Sequence, residues 1–143
     1  MKIAMLILSL AGVLVSSYAL SHFYGISSGT LCNWSDTLNC DLVNKSSYAE
    51  FAGIPVALMG IIGYAFLALG AVMKLREREV DRSTTRVLLL ASLGALFFSL
   101  YLTGIEAFVL RAFCPTCLVS LGLILSLCVL TTALYVTEHR LRP

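Results

Sequence analysis

Four apolar runs, at residues 3–20, 54–73, 87–110 and 114–136, take up most of this 143-residue chain. Each is long enough to cross a hydrocarbon core of about 30 Å, which takes roughly 20 helical residues. Lipid admits only helices or closed barrels, because every backbone polar group must be paired internally, and none of the runs alternates with the period of a barrel strand. Composition points the same way: 59% of residues are hydrophobic and 13% charged, against about 25% charged in soluble domains. A short chain keeps a large surface for its volume, so this apolar excess must face lipid. The expected fold is an all-α integral membrane bundle of four transmembrane helices, one domain over residues 1–143.

The first run also has features of a signal peptide: Met1-Lys2 ahead of it and a small-x-small stretch, Ser17-Tyr18-Ala19. Its apolar stretch extends to Leu20, beyond the usual length of such leaders, so a retained helix is expected. Orientation follows from the basic residues. If all four helices span, Lys2, Lys74, Arg76, Arg78, Arg82, Arg86, Arg140 and Arg142 share one side, and only Lys45 and Arg111 fall on the other. Both termini are then cytoplasmic, and the 21–53 loop and the Arg111-Ala112-Phe113 turn are outside. The mixed-sign segment Lys74–Arg86 reads as a solvated loop that fixes topology. A net charge of only +2 gives no reason to expect a nucleic-acid partner.

Four of the five cysteines, Cys32, Cys40, Cys114 and Cys117, fall on the outer side, where disulfides form and persist. Charge alone set the topology, and the cysteines agree with it independently. Cys114-Pro115-Thr116-Cys117 opens the fourth helix. Proline is preorganised at the first helical position, and first-turn N–H groups with the helix dipole stabilise a thiolate. Cys32 and Cys40 bracket seven residues, mostly polar and turn-prone, in the loop between helices one and two. A pair on a loop beside a pair on a helix end suits an electron relay. Spacing alone leaves other readings open: static disulfides stapling a small ectodomain, or a soft-metal site, for which C-x7-C is an awkward half.

The order C-x7-C in the first outer loop, Gly-Ile-Pro at the start of helix two and CxxC opening helix four resembles bacterial homologues of the vitamin K epoxide reductase (VKOR) family. The matching stretches are LCNWSDTLNCDLVNKSSYAEFAGIPVALMG, from Leu31 to Gly60, and RAFCPTCLVSLG, from Arg111 to Gly122. DsbB does similar chemistry but carries its CxxC in the first loop, so the motif order favours the VKOR family.

The resemblance implies a thiol–disulfide oxidoreductase: a four-helix bundle around a quinone (ubiquinone, menaquinone or phylloquinone) with the CxxC at its outer mouth. It implies that Cys114 exchanges with the loop pair and that Cys117 faces and reduces the quinone. Cys32 and Cys40 would take electrons from a thioredoxin-like, DsbA-type partner, with the active site on the extracytoplasmic side of a bacterial inner membrane. Many bacterial members carry a fused thioredoxin-like domain, and none is found in these 143 residues, so a separate partner protein is expected. Ser46 matches the family's serine or threonine near the redox centre, with Ser47 one residue away. The asparagine and tyrosine that contact vitamin K in the vertebrate enzyme fall near Val56 and Leu121, apolar residues that favour simple quinone reduction over epoxide reduction.

Several other residues carry expectations. Small residues on helix two (Gly53, Ala57, Gly60, Gly63) allow close helix approach, and Gly60 is a weak candidate for a quinone contact. Glu106, inside helix three, is a functional candidate as an intramembrane acid, although pairing with interfacial water or Arg111 is the simpler expectation. Cys128, roughly 16 Å below Cys117, is too far for exchange and reads as a packing residue. His22 and His139 read as interfacial, without acidic or cysteine partners, and Tyr18, Tyr24, Trp34 and Tyr48 as belt aromatics.

Overall fold

The computed structural model describes residues 1–28, 30, 32–77 and 81–141. Leu31 of the loop motif and Arg78, Glu79 and Arg142 of the charge pattern lie outside the described residues. Among these residues, four helices are long and apolar enough to cross a membrane: α1 (Lys2–Phe23), α3 (Val56–Arg76), α4 (Arg82–Ile105) with its continuation, and α5 (Pro115–Leu141). A five-residue helix, α2 (Cys40–Asn44), lies in the outer loop. The spanning helices turn large apolar side chains outward, as lipid requires: Leu14, Leu90, Phe97 and Val129 are all exposed.

Local chemistry shifts the helix ends from their expected places. Ile54 does not start helix two. Ala52 and Gly53 take positive φ (54° and 81°), forming a tight turn that pairs β1 (Glu50–Phe51) with β2 (Ile54–Pro55). Pro55 then serves as the N-cap of α3. The third span starts at Arg82 because Asp81 caps it, accepting from Ser83 N–H at 2.9 Å and Thr84 Oγ1 at 2.7 Å. Its end is also different: Glu106–Leu110 is a π-helical turn, closed by Arg111 in the left-handed region. α5 begins at Pro115, immediately after Cys114, and runs on to Leu141.

α1 packs closely on α3 and also contacts α5, which in turn packs on α4. Small residues let the first pair approach: a side chain at Gly12 would meet the Tyr64 ring, and one at Gly60 would lie 2.8 Å from Ser16 Oγ. α3 and α4 touch far less. The gap between them, towards the outer end, is the bundle's cavity. Below it Met5, Tyr64, Leu67, Ala71, Leu88, Ile124 and Leu127 close the core.

The opposite end corrects one expectation: Lys74 is not part of a solvated loop. It is fully buried, with Nζ 2.7 Å from Glu77 and 3.0 Å from Glu138. Glu138 also accepts from Thr85 Oγ1 at 2.7 Å, and Lys2 Nζ donates to the Lys74 carbonyl at 2.7 Å. The three helices and the chain start are thus tied together by charges paired at the bundle end.

Candidate redox site

The outer loop is held on the bundle by a parallel β-bridge between Leu38 and Phe113. Phe113 N–H donates to Thr37 O at 2.7 Å, and Asn39 N–H to Phe113 O at 3.1 Å. Asn39 also caps α2, its side chain accepting from Leu42 N–H at 3.1 Å. Cys40, the first residue of α2, is thereby set above Cys114. Asn33 clamps the other side: its Oδ1 accepts from Cys40 N–H at 3.0 Å and its Nδ2 donates to Asp41 at 2.9 Å.

Cys32 and Cys40 form a disulfide, with Cα atoms 5.6 Å apart. Cys114 and Cys117 are thiols, and Cys40 Sγ lies 3.4 Å from Cys114 Sγ. Thr116 Oγ1 is 2.8 Å from Cys114 Sγ, and Asn44 Nδ2 donates towards the same sulfur at 3.8 Å. Cys32, Cys40 and Cys114 are all buried. The Cys114 thiol is lowered from its ordinary value to about 7. The hydrogen bond from the Cys117 thiol is the main cause, opposed by burial and assisted by Thr116 and the Cys117 N–H. Cys114 is therefore the half of the CxxC set up to carry negative charge, next to the disulfide it can exchange with.

Cys117, three residues on, lines a cavity of about 360 Å³ between the four helices. Its wall is mostly apolar, including Val56, Ala57, Phe98 and Leu102, with Asn44, Tyr48, Ser120 and Glu106 among its polar groups. Gly60, Gly63 and Ser46 also line it. The Ser46 hydroxyl donates to Val43 O at 2.7 Å. Of the two positions aligned with vitamin K contacts, Val56 is on the wall, whereas Leu121 packs against the core below. Cys128 is buried among core residues of α5.

Three residues behave differently from expectation. Glu106 is 3% exposed and is not turned to an interfacial Arg111. It lines the cavity, accepts from Cys114 N–H at 3.0 Å and interacts with the Cys117 thiol. The π turn causes this, because the widened backbone carries the chain back over the Glu106 carboxylate. His22 is fully buried rather than interfacial, its Nδ1 3.3 Å from Asp41 and its ring edge-on to Tyr18. The Asp41 carboxyl is lowered, first by the hydrogen bond from Asn33 and then by those from His22 and Lys45. Tyr18 is not a free belt aromatic, since it packs against the cysteine cluster; Tyr24, Trp34 and Tyr48 are exposed.

Thr116 and Asn44, both beside the Cys114 sulfur, were not singled out from sequence. Thr116 was legible in principle as the residue inside the CxxC; Asn44 carried no local signal.

A four-helix membrane bundle with a loop disulfide docked on a helix-end CxxC is the construction of a membrane thiol–disulfide oxidoreductase. The vitamin K epoxide reductase family model matches residues 3–132. The chain belongs to that family.

Proposed function

We propose that this protein oxidises a separate thioredoxin-like, DsbA-type partner and passes the electrons through Cys32–Cys40 and then Cys114–Cys117 to a membrane quinone. It thereby supports disulfide formation in exported proteins, from the extracytoplasmic face of a bacterial inner membrane, with both termini cytoplasmic. The observation that carries this reading is the 3.4 Å contact of Cys40 Sγ with Cys114 Sγ. Sulfurs at that distance need only a small shift to exchange.

The relay starts with the loop pair reduced by the partner and Cys114–Cys117 oxidised. Cys40 thiolate attacks Cys114, forming the Cys40–Cys114 disulfide and releasing Cys117. Cys32 attacks Cys40, closing Cys32–Cys40 and releasing Cys114. A leaving thiol of lower pKa departs faster, and Cys114, at about 7, is suited to leave. The end state is a loop disulfide and a CxxC dithiol.

The cavity wall supports a quinone as acceptor: it has room for a flat ring, a mostly apolar lining and a few polar groups at the Cys117 end. When bound there, a quinone supplies a sink for two electrons and two protons. Cys117 presents its sulfur to that space, Asn44 and Tyr48 offer donors for a carbonyl oxygen, and Gly60 and Gly63 leave space beside α3. Ser46 lies on the same wall and holds the turn after α2 through Val43 O. Apolar Val56 favours plain quinone reduction over epoxide chemistry.

One observation favours the soft-metal reading: the Sγ atoms of Cys32, Cys40 and Cys114 lie within 4.8 Å of one another. Two of them are joined in a disulfide, though, and Cys117 is outside the group, so four thiolates do not converge on a point. Anaerobic spectroscopy with a short-chain quinone and reduced DsbA-like partner tests the choice. Partner-dependent quinone reduction, lost in Cys117→Ala, is expected. Stoichiometric metal in the purified protein with no quinone reduction would overturn the enzyme reading.

A further inference from the structure

Reduction of a quinone to a quinol consumes protons as well as electrons, and a site closed by lipid and apolar side chains has few sources of them. Glu106 is the one carboxyl on the cavity wall among the described residues. Among the described residues neither His, Lys nor Arg lines that wall; of its two tyrosines, Tyr48 is exposed, and the Tyr64 hydroxyl is already bonded to Ser120, donating to its carbonyl at 2.8 Å. A buried intramembrane acid is costly to keep unless it has a task or a partner. Glu106 has both residues of the CxxC beside it: it accepts from the Cys114 backbone N–H at 3.0 Å, and it shares the cavity wall with Cys117.

We propose that Glu106 is a catalytic residue, the proton carrier between the Cys117 thiol and the acceptor in the cavity. The inference rests on the quinone reading and deepens it. In the step, Cys114 starts as the thiolate, its own proton already released to water; the S–H bond of Cys117 then breaks and its proton moves to the Glu106 carboxylate. The two sulfurs, now both thiolates, form the Cys114–Cys117 bond and give up two electrons to the quinone. Glu106 returns its proton to one quinone oxygen, and the second oxygen takes a proton from water. The dithiol is oxidised, the quinone is reduced to quinol, and Glu106 ends as it began. The π turn at Glu106–Leu110 serves this role, because the Glu106 carboxylate within it meets the backbone of Cys114, just ahead of α5. Arg111, exposed just beyond that turn, and the thiols of Cys114 and Cys117 are the charged or titratable groups nearest to it along the chain.

The experiment compares the wild type with E106Q and E106D in purified full-length protein. E106Q keeps an oxygen able to accept the Cys114 N–H but cannot carry a proton. E106D keeps the acid at shorter reach and guards against a variant that fails to fold. Infrared difference spectra are recorded as the CxxC goes from dithiol to disulfide with a soluble thiol oxidant and no quinone. A carboxyl C=O change is expected in the wild type, shifted in E106D and absent in E106Q. With a short-chain quinone, E106Q should lower kcat at least about 100-fold with little change in KM, and E106D by less, which is the scale of a lost general acid–base. An infrared change that survives in E106Q, or a kcat for E106Q within about twofold of wild type, overturns the proposal. If the wild type shows the infrared change yet reduces no quinone, the proton role at Cys117 stands and the quinone reading fails.

Discussion

Leu38 and Phe113 are joined by a β-bridge across 75 positions of sequence, and through it Cys40 comes to rest 3.4 Å from Cys114. The bridge is made by backbone groups, Phe113 N–H on Thr37 O and Asn39 N–H on Phe113 O, so it fixes position with little dependence on side chains. Asn33 holds the same loop from the other side through Cys40 N–H. The sulfur–sulfur contact is a consequence of how the loop is docked.

That docking predicts which mixed disulfide forms. In Cys32→Ser/Cys117→Ser protein, both resolving thiols are gone and Cys40 faces Cys114. Mild oxidation should give a Cys40–Cys114 disulfide, read by peptide mass spectrometry without reduction. Cys40→Ser/Cys117→Ser should form its Cys32–Cys114 bridge more slowly. The reverse order of rates would contradict the relay as written.

The Cys114 thiol is lowered to about 7, so thiolate is the majority form above that pH and thiol below it. In Cys32→Ser/Cys40→Ser protein, ultraviolet thiolate absorbance should rise with a midpoint of about 7. Exchange that depends on this thiolate should fall about tenfold per pH unit below the midpoint. Thr116→Val removes a hydroxyl 2.8 Å from the sulfur and should move the midpoint upward. A midpoint near that of a free thiol, about 8.5, would show that the site does not tune Cys114.

Two glycines should separate packing from cavity shape. Gly12→Ala places a methyl against the Tyr64 ring and should cost about 1–3 kcal/mol in thermal or denaturant unfolding. Gly63→Ala meets nothing within 4 Å but sits on the cavity wall. It should leave stability unchanged or raise it by up to about 1 kcal/mol, as alanine favours helix, while raising KM for quinone. Equal loss of stability in both would refute the distinction.

At the other end, Lys74→Ala leaves Glu138 buried without its cation and should destabilise the protein by about 3 kcal/mol, the lower end for a broken buried pair because the cluster lies at the bundle's end. Lys74→Met combined with Glu138→Gln should recover more than half of that loss. A double-mutant cycle in detergent measures the coupling, and additive effects would mean that the two residues act separately.

The helices were legible because lipid acts on each residue of a run alike, so a local average suffices to find a span. Their ends were less so. Ile54 is apolar enough for a helix, but the positive φ of Ala52 and Gly53 folds it into a hairpin, and Asp81 extends α4 backwards by capping it. Glu106 was visible as an intramembrane acid, yet the π turn that decides what it touches leaves no mark in hydropathy. Lys74 read as solvated because its partner, Glu138, is 64 positions away in sequence.

The sequence by itself determined the membrane class, the four spans and the two cysteine pairs with their family. Those properties depend on composition and spacing within short windows. Only the tertiary structure decided that Cys40, not Cys32, is in contact with Cys114, that Cys117 opens on a cavity, and that His22, Lys74 and Glu106 are buried with partners. Each of these is a distance between segments far apart in the chain, set by loop docking and helix approach, and no local pattern of residues encodes it.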